Sequence, residues 1–201
     1  MTLITNVYLK KLWEDAQANP SSEHHSISFW NYLLSKVVFA SEGFIVDHQK
    51  PPSLDDPNRK IDIVVKYFED PDFKIKMLCF HEAKKPKATK YDIEIVESQA
   101  IDACETYCKG EGKDFIYAMT TIGTAARQWR YESGGFEPLF GPGDLADRSA
   151  YIEASSPDAS QIRAGFEYMK KFPPSLRVGQ SYAQLGQSHP INAPAASIVP
   201  E

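Results

Sequence analysis

The spacing of apolar residues along this chain predicts helices on either side of a strand-rich middle. Apolar positions recur with the helical period over residues 7–18, 29–40 and 91–108, and a shorter amphipathic stretch covers 159–171. Asn6, Ser26 or Ser28, and Asp158 have the side chains expected at the starts of the first, second and last of these helices. The sequence therefore predicts four helices.

The segments between the helices have the composition of β-strands. Residues 61–67 and 73–84 are rich in β-branched and aromatic side chains, and Glu-Asp-Pro-Asp at 69–72 has turn chemistry, which predicts a hairpin. Strands are also predicted at 44–48, 115–120, 126–131 and 149–153, and loops at 49–58 and around the glycines and prolines of 134–143. Helices and strands in this order predict an α/β fold with a central mixed sheet flanked by helices.

Two carboxylates and a lysine stand at one end of the predicted hairpin. Asp62 lies early in its first strand, and Glu82 and Lys84 end its second. Side chains two apart on a strand share a face, so Glu82 and Lys84 point the same way, and Asp62 joins them if the strands are antiparallel neighbours. Such a group suits a hard divalent cation and a water molecule.

An Asp followed one hairpin later by Glu-x-Lys, then a helix with Gln99, a strand at 115–120 and Arg-Gln-Trp-Arg-Tyr at 127–131, resembles the PD-(D/E)XK nuclease superfamily. It looks like the nuclease-like domains of fungal proteins, and the likeness covers about residues 29–131. The sequence departs from the family at Ile61, where proline is common, and at Ala103, where one branch carries tyrosine.

This resemblance implies a restriction-endonuclease-like fold and metal-dependent hydrolysis of phosphodiester bonds in DNA or RNA. It implies Mg²⁺ or Mn²⁺ held by Asp62, Glu82 and the carbonyl of Ala83, with Lys84 positioning the attacking water. Glu42 matches the place of an additional acidic residue near the metal in many relatives, and its alternative interpretation is an exposed glutamate at a helix end. Gln99 could reach the site as a hydrogen-bonding residue, or be an ordinary helix-flank glutamine.

The charge distribution indicates which kinds of partner the protein could bind. The formal net charge is −5, which is unusual for a nucleic-acid-binding protein. Lys85, Lys87 and Lys90 nevertheless form a local basic stripe beside the proposed site, which could contact phosphates or be a solvated loop. Arg127, next to Trp129 on one strand face, could bind phosphate beside a stacked base or pack internally.

The remaining features of the sequence indicate how the chain is divided and where in the cell it is expected. Residues 1–174 are predicted to form one nuclease-like domain, and 175–201 a tail rich in Pro, Ser, Gln and Ala. The three cysteines, with no signal peptide or membrane-spanning run, predict an intracellular protein with free thiols. A second hypothesis is that the fold is nuclease-derived and serves as a non-catalytic binding module or handles a small molecule.

Overall fold

The first two helices pair against one face of the sheet. The computed structural model describes residues 1–50, 60–69, 73–132 and 134–174. Helix α1 spans Val7–Ala18, and the Asn6 side chain accepts a hydrogen bond from the Leu9 N–H at 2.9 Å, which confirms the predicted cap. Helix α2 spans Glu23–Leu33 and continues as a π-helical turn over Leu34–Val38.

The predicted start of α2 is wrong. The helix begins after Ser22, so Ser26 and Ser28 lie inside it, and the Ser28 hydroxyl donates to the carbonyl of His24 instead of capping. Ser22 takes the N-cap position, although its side chain makes no capping hydrogen bond, and α2 as a whole contacts α1 and β3.

The described residues form a seven-stranded mixed sheet. The strands are β1 Phe44–Lys50, β2 Ile61–Glu69, β3 Lys74–Lys84, β4 Phe115–Ile122, β5 Ala125–Glu132, β6 Gly135–Pro138 and β7 Ile152–Glu153. Their order is β1-β2-β3-β4-β5-β6, with β7 also paired to β5. β3 and β4 are parallel and the other recorded pairs are antiparallel. The predicted α/β class with a mixed central sheet is confirmed.

Helix α3, Lys90–Glu111, makes the crossover between the two parallel strands. Thr89 and Asp92 form a capping box at its start, and Gly112 ends it with a left-handed φ of 60°. The five residues predicted to face inward are all buried: Ile93, Val96, Ala100, Ala103 and Tyr107. The apolar period thus predicted both the helix and its buried face.

The sheet lies between two helical layers. On one face, α1, α2 and α4 (Ala159–Lys171) pack over Ile63, Val65 and Met119. On the other, α3 packs over Val64 and Phe80. Both faces being covered explains why the middle strands read as continuous apolar runs.

The region after β5 differs from the sequence prediction. Residues 135–138, predicted as loop, form the edge strand β6, and Phe136 stacks on Trp129 with ring centroids 4.9 Å apart. The strand predicted at 149–153 shortens to Ile152–Glu153 after a 3-10 turn at Arg148–Ala150. Pairing with the open edge of β5 decides both outcomes.

No helix in the described ranges is long and apolar enough to cross a membrane. The predicted tail at 175–201, most of the loop at 49–58 and the centre of the hairpin turn lie outside the described residues.

Candidate active site

Asp62 and Glu82 lie opposite each other on neighbouring antiparallel strands. Ile63 pairs with His81, so the next residue pair outward is Asp62 with Glu82, and their side chains share a face. The Asp62 carboxylate accepts a hydrogen bond from the Ala83 N–H at 2.9 Å. Asp62 therefore lies directly beside the Glu-x-Lys segment.

Lys84 connects these strands to two helices. Its Nζ donates to Gln99 Oε1 on α3 at 3.2 Å and lies 3.8 Å from Glu23 Oε1 on α2. The Lys84 side chain is only 21% exposed, so its ammonium group is held among these partners. The structure thus brings Asp62, Glu82, Lys84 and Gln99 to one end of the sheet, together with Glu23.

The electrostatics at this end disfavour negative charge on Asp62. Burial raises the pKa of Asp62, and the hydrogen bond from Ala83 and the positive charge of Lys84 oppose that rise only in part. Glu82, directly opposite, is 6% exposed. One buried and one half-buried carboxylate thus share a face of neighbouring strands, where a cation would stabilise their negative charge.

Carboxylate oxygens, which Asp62 and Glu82 supply at this end, are the donor type that Mg²⁺ and Mn²⁺ prefer. Within the described ranges no group of three or more His, Cys, Asp or Glu side chains is placed to hold a metal. Mg²⁺, however, commonly binds through one or two carboxylates and keeps several waters. Asp62 and Glu82 are two hard oxygen donors of that kind, and the carbonyl of Ala83 is the further ligand that the resemblance to the nucleases implies.

Glu42 does not belong to this group. It is exposed in the turn before β1, where Phe44 pairs with Tyr67. Tyr67 is about 17 Å along β2 from Asp62. The predicted additional acidic residue is therefore at the wrong end of the sheet, because helix α2 runs away from the site rather than towards it.

Glu23, in the first turn of α2, is the acidic residue that approaches the site. Sequence reasoning missed it because the helix was predicted to begin after it. A serine followed directly by an acidic residue at a helix start was the available signal, since Ser22 precedes Glu23.

The predicted basic stripe forms an exposed loop next to Lys84. Lys85, Lys87 and Lys90 are all exposed. Arg148, distant in sequence, donates to the carbonyls of Pro86 at 2.8 Å and Ala88 at 3.1 Å. The loop is therefore anchored from outside the hairpin, and Arg148 was not identified from the sequence.

Arg127 lies inside the protein and not on this surface. Its side chain is 0% exposed, donates to the carbonyls of Asp144 and Pro142, and packs 3.9 Å from the centre of the Trp129 ring. Glu97 lies 3.7 Å away. The Arg127 side chain is therefore inaccessible to a nucleic acid in this structure. Its position agrees with the alternative interpretation, internal packing.

Glu97 is a buried acidic residue that sequence reasoning also missed. Its carboxylate accepts hydrogen bonds from the Ala146 N–H at 2.6 Å and the Tyr151 hydroxyl at 2.9 Å. Burial is the main reason that its pKa is raised. These contacts attach α3 to the segment that carries Arg148, so we assign Glu97 a structural role.

Comparison with known proteins does not identify the chain: no protein-family model, curated protein or solved structure matches it. The resemblance to PD-(D/E)XK nucleases therefore stays a prediction from the sequence.

Proposed function

We propose that this protein is a metal-dependent nuclease that hydrolyses phosphodiester bonds in a nucleic acid. The observation that carries the proposal is the bond from the Ala83 N–H to the Asp62 carboxylate, which joins Asp62 to the Glu-x-Lys segment. Acidic side chains on opposed strands, with a lysine on the same face, form a site for polarising a phosphate and activating water.

Each residue of the group has a distinct part. Asp62, Glu82 and the carbonyl of Ala83 would hold Mg²⁺ or Mn²⁺, which supplies charge stabilisation at the phosphate and lowers the pKa of water. Lys84 carries three N–H donors; Gln99 accepts one, and Glu23 lies nearby. A remaining donor can orient a water molecule or contact a phosphate oxygen, while Gln99 and Glu23 hold the ammonium group in place.

The direct test is cleavage of single- and double-stranded DNA and RNA by purified protein with Mg²⁺ or Mn²⁺. We expect cleavage that stops with a chelator and falls at least about 100-fold in Glu82→Gln and in Lys84→Ala. Glu94→Gln, at an exposed position of α3, is the matched control and should cleave normally. Cleavage that persists in the chelator would contradict the proposal.

A second candidate function is a non-catalytic binding module, or a protein that handles a small molecule, on a nuclease-derived fold. The observation that favours it is the small acidic set, since the described residues provide two opposed carboxylates and no larger metal-binding group. Oligonucleotide binding without cleavage under any metal condition would select the binding module.

A further inference from the structure

We propose that the surface formed by the basic loop (residues 85–90), Arg148 and Tyr91 binds single-stranded nucleic acid, with an unpaired base stacked on the Tyr91 ring. The inference rests on the proposed function and specifies its substrate class. We call these residues the loop surface.

The loop surface itself carries four cationic side chains, Lys85, Lys87, Lys90 and Arg148, and no carboxylate. In the described part of the chain, none of these four side chains forms an ion pair with a carboxylate at 4.0 Å or less. Arg148 donates to two neutral carbonyls, so its charge stays available to a phosphate. The acidic residues next to it in sequence are Asp92, Glu94 and Asp147. Hydrogen bonds from Thr89 occupy the Asp92 carboxylate, and hydrogen bonds from Ser149 occupy that of Asp147. A polyanion is therefore the complementary partner.

The loop surface is also held in one conformation. Besides the two bonds from Arg148, the Ala88 N–H donates to the Lys85 carbonyl at 3.1 Å and closes a turn. Gly123 packs so tightly on Pro86 that an added Cβ would lie 2.7 Å from the Pro86 side chain. A phosphate-binding loop fixed in advance loses less conformational entropy when it binds.

Tyr91 adds an aromatic ring at the edge of this positive surface. It follows Lys90 directly and is 68% exposed. Another exposed tyrosine, Tyr8, has its ring near that of Tyr32, at 6.1 Å between centroids. Cations that follow a backbone and an aromatic side chain that accepts a base are the combination used by single-strand binders. Inside a duplex the base faces are covered by their neighbours, so an exposed ring favours unpaired nucleotides.

The test is fluorescence anisotropy with labelled single-stranded DNA, single-stranded RNA and a duplex, in chelator so that hydrolysis plays no part. We expect wild type to bind single strands more tightly than duplex. Tyr91→Ala should weaken single-strand binding roughly 5- to 100-fold. Tyr91→Phe, which keeps the ring, and Tyr8→Ala, on a different surface, should bind like wild type. The DNA and RNA arms decide which backbone is preferred.

Arg148→Ala provides a second measurement that does not depend on stacking. It should reduce the slope of log affinity against log salt by about 0.7 on single strands. Equal affinity for duplex and single strands, or Tyr91→Ala binding as well as Tyr8→Ala, would overturn the inference. The binding and cleavage assays can fail independently. Metal-dependent cleavage together with normal binding by Tyr91→Ala would refute only this inference. Binding that depends on Tyr91 but is not followed by cleavage would refute only the proposed hydrolysis.

Discussion

At the scale of single residues, the central feature is a carboxylate placed in an apolar strand. Asp62 stands between Ile61 and Ile63, both fully buried. A charge in such a position costs several kcal/mol unless neighbouring groups compensate it. One backbone N–H and one lysine ammonium do so in part, and the pKa of Asp62 stays raised by burial. A divalent cation beside Asp62 would therefore stabilise the charged form of its carboxylate.

The raised pKa and burial of this carboxylate predict that a bound metal ion stabilises the folded protein. An ion that binds only the folded protein at a hundredfold excess over its dissociation constant adds about 2.7 kcal/mol of stability. We expect Mn²⁺ to raise the melting temperature of wild type and of Lys84→Ala, because the lysine is not a ligand. Asp62→Asn, which keeps an acceptor for the Ala83 N–H, should lose the metal-dependent gain. The measurement is a thermal melt of the three proteins with and without Mn²⁺.

The same melt has an informative negative result. If wild type is insensitive to millimolar Mn²⁺, Asp62 and Glu82 do not form a metal site and the nuclease proposal loses its chemical basis. If Lys84→Ala also loses the gain, the lysine supports the carboxylates directly, contrary to the role proposed for it.

At the scale of elements, the β4–β5 turn and the segment before β7 position the basic loop. The β4–β5 turn contacts it through Gly123, whose N–H donates to the Lys84 carbonyl at 2.8 Å. The segment before β7 contacts it through Arg148 and is itself attached to α3 through Glu97. The loop that follows Lys84 is therefore held by two parts of the chain that are distant from it in sequence.

The turn gives a prediction that separates backbone strain from steric contact. Gly123 and Gly112 have nearly equal left-handed φ angles, +62° and +60°, but only the Cβ of an alanine at 123 would meet another residue, Pro86. We expect Gly112→Ala to lower the free energy of unfolding by about 1 kcal/mol. Gly123→Ala should lower it by about 2–4 kcal/mol, since the contact adds to the strain.

Urea unfolding of both variants and wild type measures these differences. The displacement of Pro86 should also weaken oligonucleotide binding by Gly123→Ala, and Gly112→Ala, at the far end of α3, should bind normally. Equal losses of stability in the two variants would show that the approach to Pro86 has no energetic effect.

At the scale of the whole molecule, the net charge of −5 opposes binding to a polyanion. Charges separated by more than about 8 Å at physiological salt are largely screened when exposed, so the local distribution outweighs the total. The loop surface places cations beside Lys84, at the same end of the sheet as the carboxylates. We therefore expect nucleic acid to bind at the loop surface, with an affinity that falls as the salt concentration rises.

The corresponding prediction uses two triple variants of equal charge. Removing Lys85, Lys87 and Lys90 together should weaken binding on all sequences alike and reduce the salt slope on single strands by about 2. Removing Lys11, Lys36 and Lys109, which lie elsewhere, changes the net charge identically and should leave the slope near that of wild type. Equal effects of the two variants would indicate that overall charge, and not the loop, governs binding.

The sequence by itself determined the elements whose signal is local. The helical period of 91–108 required no tertiary information, since each inward position repeats on one helix face. The order Asp62, Glu82, Lys84 likewise predicted which side chains could share a face, because strand side chains alternate with period two. The fold class and the grouping of Asp62, Glu82 and Lys84 follow from these patterns.

Tertiary structure decided which distant residues lie near the candidate site. Glu23 approaches Lys84 because α2 starts one turn earlier than predicted. Arg148 contacts the basic loop because the segment before β7 folds back on it. Arg127 turned inward because Glu97, thirty positions earlier, offers a buried partner. The directions of Glu42 and Arg127 depend on how helices and loops pack on the sheet, and no local period or cap carries that information.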